Sequence, residues 1–139
     1  MSDNLRLLAK YSAAMDAGDT DAVYEFWSET FHSHVTERVT PEKVGTDIRG
    51  EEQLWWQQVR SSFPDMTFTV DLLIESDDLV VSNRTVKGTH TGTPFFDVPP
   101  SGQPVTINGT AILCIHDGQI VEHWGGPHCQ KGLGLITTT

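Results

Sequence analysis

The dipeptide Asp117-Gly118, set between two alternating apolar runs, constrains this chain more than any other feature. A two-residue type I′ turn needs positive φ at both central positions, and its twist suits a pair of antiparallel strands. Once the loop is placed, the pairing follows: His116 faces Gln119, Ile115 faces Ile120, Leu113 faces Glu122 and Ala111 faces Trp124. One face of the hairpin is then expected to carry Ala111, Leu113, Ile115, Ile120, Glu122 and Trp124. The other carries Thr110, Ile112, Cys114, His116, Gln119, Val121 and His123. A carboxylate among aliphatic side chains and an indole is costly unless paired or neutralised, so Glu122 marks a pocket or an edge.

Upstream of the hairpin the periodicity changes from helix to strand. Leu5, Leu8, Tyr11, Ser12 and Met15 recur at helical spacing over residues 3 to 17, with Asp3 as the expected cap and Gly18 as the stop. A second helix is expected from Asp19 or Thr20 through Val23, Phe26 and Trp27, before Phe31 to Val35 alternates as an extended segment. Residues 36 to 50 read as a polar loop. A third helix spans 51 to 63, acidic at its positive end and closed by Pro64. Strands follow at 66 to 74, 79 to 90, 105 to 115 and 119 to 125, with residues 91 to 104 forming an irregular lid over the sheet edge. Helices first and an antiparallel meander afterwards give an α+β fold, with the helices gathered on one face of a curved sheet.

At 139 residues the chain is expected to form a single domain, residues 1 to 139, with one substantial core. Its formal charge of −10 repels phosphate backbones and anionic membrane surfaces, which excludes nucleic acid and membrane as expected partners. No basic segment precedes an apolar leader and no apolar run approaches a membrane span, so a cytoplasmic protein is expected. Cys114 and Cys129 have neither metal spacing nor a disulfide framework and are expected to be plain thiols. Ile112, Cys114 and Val121 form an apolar band on the side away from the helices, which predicts a homodimer packed through the back of the sheet.

Four motifs, FPDM at 63 to 66, GTHTG at 88 to 92, VPPSGQPVT at 98 to 106 and DGQIVEHW at 117 to 124, occur in an order and spacing that resemble the SnoaL-like polyketide cyclases of the nuclear-transport-factor-2-like superfamily. The resemblance implies a cone-shaped, cystatin-like α+β barrel: a curved antiparallel sheet, N-terminal helices on its concave face, and an apolar cavity between them. It further implies a dimer, a flat polycyclic or small apolar substrate, and an aldol-type cyclisation that requires no cofactor. The family's catalytic aspartate directly follows the EHW-like tripeptide, which places Gly125 at that position, and its supporting histidine falls at Ala111. Neither can move a proton, so the family's reaction does not transfer by position.

The candidate chemistry is built from what remains. Glu122 beside Trp124 is the first candidate for proton transfer, with His128 four residues beyond the indole at the expected cavity mouth. The competing reading is that Glu122 pairs with a cation and only holds the sheet together. Arg84 is the expected neighbour; strand parity turns it inward, where it clamps a substrate oxyanion or neutralises Glu122, unless a bulge returns it to solvent. His34 is assigned to hydrogen bonding or proton shuttling. A metal site from His32, His34 and His128 has no assignable carboxylate behind its histidines to orient them and is not adopted, so no metal is expected. Tyr11, Met15, Trp55 and Trp124 are expected to shape the substrate surface, together with His90, which also ties the lid to the sheet. Trp56 and Phe63 are assigned to plain core, and Phe95 and Phe96 to a flap that excludes water.

These residues predict a small cofactor-free enzyme performing an acid–base cyclisation or isomerisation on an apolar, polyketide-like substrate. A non-catalytic small-molecule-binding or accessory protein, and a dehydratase or epoxide hydrolase of the same fold, stand as alternatives.

Overall fold

The computed structural model describes residues 2 to 33 and 48 to 131. Helix α1 spans Asp3–Ala17. Its cap is Ser2 rather than Asp3: the Ser2 hydroxyl accepts from the Leu5 backbone N–H at 3.1 Å, and Asp3 is left at the positive end of the helix dipole. Gly18 ends the helix in the left-handed conformation, φ +82. The expected second helix is short, a 3-10 turn Thr20–Ala22 followed by α2, Val23–Phe26. Strand β1, Trp27–Ser33, begins earlier than the alternation suggested because Trp27 already turns into the core. Helix α3 covers Ile48–Ser62, and the remainder is strand: β2 Thr67–Ser76, β3 Leu79–Thr89, β4 Pro104–His116 and β5 Gln119–Lys131.

The sheet corrects the expected architecture. Its five strands run in the order β1-β5-β4-β3-β2, with β1 and β2 as separate edges that do not pair with each other. It is therefore open, neither closed into a cone or barrel nor strongly curled. It is also mixed rather than purely antiparallel, since β1 joins β5 in parallel while the other pairings are antiparallel. The molecule is a mixed α+β sheet with helices packed on one face.

That face carries the core. Leu8, Tyr11 and Met15 of α1 and Trp56 and Val59 of α3, with Phe63 just past its end, recur at helical spacing and are buried against Val80, Val86, Ile107, Ala111, Leu113 and Ile115 of the sheet. Alternate residues of β4 look the other way, toward the outer face. Among the described residues no helix is long and apolar enough to cross a membrane.

The 90 to 103 segment is bolted at its base. Gly92 and Thr93 donate backbone hydrogen bonds to Ser62 and Ser61, both at 3.1 Å, and Gln58 Nε2 donates to the Pro94 carbonyl at 2.7 Å. A Cβ at Gly92 would run into the Ser61 carbonyl oxygen, so only glycine permits this approach. Asp65 completes the joint by accepting from the Thr89 N–H at 2.7 Å and the Thr89 hydroxyl at 2.8 Å, which hold its carboxyl below the usual carboxylate range. The FPDM and GTHTG motifs thus meet as one structural corner.

Candidate functional site

The hairpin turn forms as its sequence requires, with φ +51 at Asp117 and +74 at Gly118, and His116 opposite Gln119. The register then slips. Ile115 still faces Ile120, but Cys114 faces Glu122, Leu113 faces His123 and Ile112 faces Trp124. A β-bulge at Val121 inserts one residue, and the positions from Glu122 to Gly125 exchange faces. The pairing Leu113 with Glu122 is corrected accordingly: Glu122 and Trp124 stand on the outer face. The Cys114 thiol reports the same placement, pushed up by burial first and then by the carboxylates of Asp78 and Glu122.

His123 takes the inward position instead and is fully buried. Around it the inner face is set by rows across the strands. Val80, Leu113 and His123 form one row; Leu73, Ser82, Ala111 and Gly125 form the next; Val70, Arg84 and Gly109 form the third. Arg84 keeps the inward phase that parity predicts, because the bulge in this region falls on β2 between Val70 and Leu72. It cannot neutralise Glu122, which lies on the opposite face. Ala111 and Gly125, the positions matching the family's histidine and aspartate, are directly paired.

Above these rows sit rings from the helices and β1. Trp56 Nε1 divides its hydrogen between Tyr11 Oη at 2.9 Å and Glu52 Oε1 at 3.2 Å. Tyr11 meets Trp27 edge to face at 6.0 Å, and Trp27 meets His123 in the same manner at 5.3 Å. Burial drives the Tyr11 phenol far above its ordinary range and the Glu52 carboxylate adds to this, against opposing contributions from Trp27, Arg84 and Trp56. The result is a contiguous cluster in which Glu52, Tyr11 and His123 are enclosed by indoles and Arg84 is half-buried alongside.

Of the residues expected from sequence, Tyr11 and Arg84 belong to this cluster. Met15 is fully enclosed core. Trp55 lies one helical turn from Glu52 under the lid, with its ring 5.8 Å from Phe95 and stacked at 5.9 Å on Phe96. His90 is fully buried; its Nε2 is 3.0 Å from the Thr93 carbonyl, its ring packs on Phe63 at 5.1 Å, and its main chain is bonded to Gln103 and Gly102. That is the tie between lid and sheet. His128 lies at a second register shift of β5, between the partners of Asn108 and Gly109, and its side chain is outside the described residues, as is all of His34. Among the described residues no group of three or more His, Cys, Asp or Glu is placed to hold a metal ion.

Four residues escaped the sequence reading. Trp56 reads from sequence as plain core, Trp27 only as part of the second helix, His123 as facing away from the helices, and Glu52 is not singled out. For Glu52 a signal exists, since it is in phase with Trp56 and Val59 on the buried stripe of α3 and with Phe63 just past its end.

The family model of the SnoaL-like polyketide cyclases matches residues 5 to 128. The chain belongs to that family. Among solved structures it is similar to IdmH of Streptomyces antibioticus, described as a candidate polyketide cyclase, with 29% identity, a TM-score of 0.73 and coverage of 88% of this chain and 89% of that one. AclR of Streptomyces galilaeus, described as a candidate hydroxylase, is 24% identical at a TM-score of 0.72, covering 88% and 86%. TsrD of Streptomyces laurentii is 19% identical at 0.74, covering 90% and 87%. The last two likenesses establish the fold alone. No curated protein matches the chain.

Proposed function

We propose that the chain is a small cytoplasmic enzyme of the polyketide-cyclase type, acting without a cofactor on an apolar, polyketide-like substrate through an acid–base cyclisation or isomerisation. The observation that carries this reading is the enclosure of three ionisable groups, His123, Glu52 and Tyr11, in apolar packing beside an inward Arg84. Buried ionisable clusters of this kind concentrate at reaction centres because desolvation tunes their proton affinity. In this reading His123 replaces Glu122 as the proton-transfer group, Arg84 anchors a polar end of the substrate, and Glu52 positions Tyr11 through Trp56. His34 and His128 keep their candidacy as groups flanking the site, and Trp55 as part of its wall.

His123→Gln and Glu52→Gln are the decisive variants. With a linear poly-β-keto thioester as substrate and product followed by mass spectrometry, His123→Gln is expected to lower turnover by about 100-fold or more. Glu52→Gln is expected to lower it less, and both variants should still bind the cyclised product. Unchanged turnover in His123→Gln overturns the assignment.

The pairing of Ala111 with Gly125 favours a second reading, a binding or accessory protein that has lost its proton-transfer groups. Product binding without turnover in the wild-type protein would establish it.

A further inference from the structure

Two bulges flank one row of the sheet. Val70, Arg84, Gly109 and Pro127 are register partners across four strands. On one side β2 inserts Asp71 between the partners of Arg84 and Asn83; on the other β5 inserts His128 between the partners of Gly109 and Asn108. A bulge leaves its extra residue out of the ladder and disrupts the hydrogen bonds around it, and proline has no N–H to give. The backbone of this row is therefore held less firmly by its ladder than a regular stretch of sheet. Bulges also re-aim side chains beside functional sites. Here β3 contributes Arg84, opposite a glycine whose missing side chain leaves room across the strands.

What the ladder does not supply, the opposite face does. Asn83 and Thr85 flank Arg84 on β3 and so point outward, and Thr85 is buried there although it faces away from the core. Asn108 Nδ2 donates to Thr85 Oγ1 at 2.9 Å, to the Arg84 carbonyl at 3.1 Å and to Asn83 Oδ1 at 3.2 Å. Asn83 Nδ2 donates in return to Asn108 Oδ1 at 3.2 Å and to Thr110 Oγ1 at 2.9 Å. The Thr85 hydroxyl spends its one proton on Oδ2 of Asp71, the bulged residue itself, at 2.5 Å, which leaves its lone pairs for Asn108. One amide thus grips both neighbours of Arg84 and its carbonyl, and one hydroxyl ties them to the bulge.

We propose that Asn108 and Thr85 are positioning residues for Arg84, fixing from the outer face the stretch of β3 that aims its guanidinium inward. Satisfied side-chain networks rigidify the segments they join. Burial and Glu52 raise the proton affinity of the Tyr11 phenol, and the Arg84 charge opposes them, so the guanidinium is directed toward the cluster around Tyr11. A guanidinium carries its donors in a rigid planar fork, which matches an oxyanion only when the backbone beneath it is fixed. This positioning serves the substrate anchoring proposed above for Arg84, on which its purpose rests; the positioning itself needs no ligand.

NMR relaxation at the side-chain nitrogen reads it in the wild-type protein, with the Arg84 Nε–H signal assigned by its loss in Arg84→Lys. The order parameter is expected near that of ordered backbone, roughly 0.8, and well above that of the exposed Arg6. Thr85→Val keeps the branched shape and removes the hydroxyl; the order parameter of Arg84 should then fall to about 0.6 or lower, and Thr85→Ser should restore it. With the poly-β-keto thioester as substrate, Thr85→Val should raise KM about 10-fold while kcat stays within about 2-fold, the mark of lost binding rather than lost chemistry. An Arg84 as mobile as Arg6 in the wild type overturns the inference without any variant, and so does an Arg84 equally ordered in wild type and Thr85→Val. A loosened Arg84 with unchanged KM upholds the positioning and removes the substrate anchor from the proposed function.

Discussion

Gly125 holds φ +94, and a Cβ built on it would run into the Thr110 carbonyl oxygen. The residue that matches the family's catalytic aspartate is thus fixed as glycine by its backbone as well as by its neighbours. Restoring the carboxylate by Gly125→Asp should not restore the family's reaction. It should destabilise the protein by about 2 kcal/mol or more, since positive φ and a backbone collision act together. In a thermal melt that amounts to a fall of roughly 6 °C or more. A Gly125→Asp variant with an unchanged melting temperature would show that β5 relaxes freely there. The same residue explains part of what a sequence can disclose. Glycine at the aspartate position is visible by comparison of motifs, but that its partner across the sheet is Ala111 follows only from the register. That register depends on a bulge at Val121, and a bulge is an insertion of one residue without a composition of its own.

Elements were more legible than their joins. Helices α1 and α3 and the strands β2 to β5 follow from spacing and turn residues, because each buries one face and its period records which. The place of β1 did not follow: a parallel edge pairing with β5 carries no turn signal, and Trp27 at its start continued the helical pattern of Val23 and Phe26. Nor did the conformation of the lid. Two adjacent phenylalanines would alternate on an extended strand, but here Phe95 and Val98 exchange backbone hydrogen bonds at 2.9 and 3.0 Å and close a tight turn between them. Phe95 is buried against Phe63 and Trp55, while Phe96 stands 58% exposed at φ +52, a conformation that a bulky residue adopts only under strain. The neighbours should therefore respond oppositely to truncation. Phe95→Ala is expected to cost about 3 kcal/mol or more, as for a core aromatic. Phe96→Gly should stay within about 1 kcal/mol of wild type, because release of strain offsets the lost stacking on Trp55. Urea denaturation measures both; a large loss in Phe96→Gly would make its ring a structural strut.

Across the whole molecule, the bulge that brings His123 inward also sends Trp124 out, and the outer face gains a continuous apolar row. Ile74, Val81, Ile112 and Trp124 are register partners in sequence across four strands, with Leu72 beside them opposite Asn83. Further along the same face the pattern turns polar: Asn83, Asn108, Thr85 and Thr110 are joined by hydrogen bonds of 2.9 to 3.2 Å, and Asp71 accepts from Thr85 at 2.5 Å. Ile74, Leu72 and Ile112 are all exposed in the monomer. A row of this kind, rimmed by a satisfied polar network, has the composition of an interface core with its rim. We propose that two copies pack through it, as the apolar outward residues already suggested from sequence. With Ile112 near the middle of the row, Ile112→Lys places an unpaired charge in each copy's contact and should convert a dimer into a monomer in light scattering at micromolar concentration. Because Ile112 lies on the face opposite His123, the monomeric variant should keep the turnover of the wild type. A wild-type protein that scatters as a monomer would remove the dimer and leave the apolar row without an assigned partner.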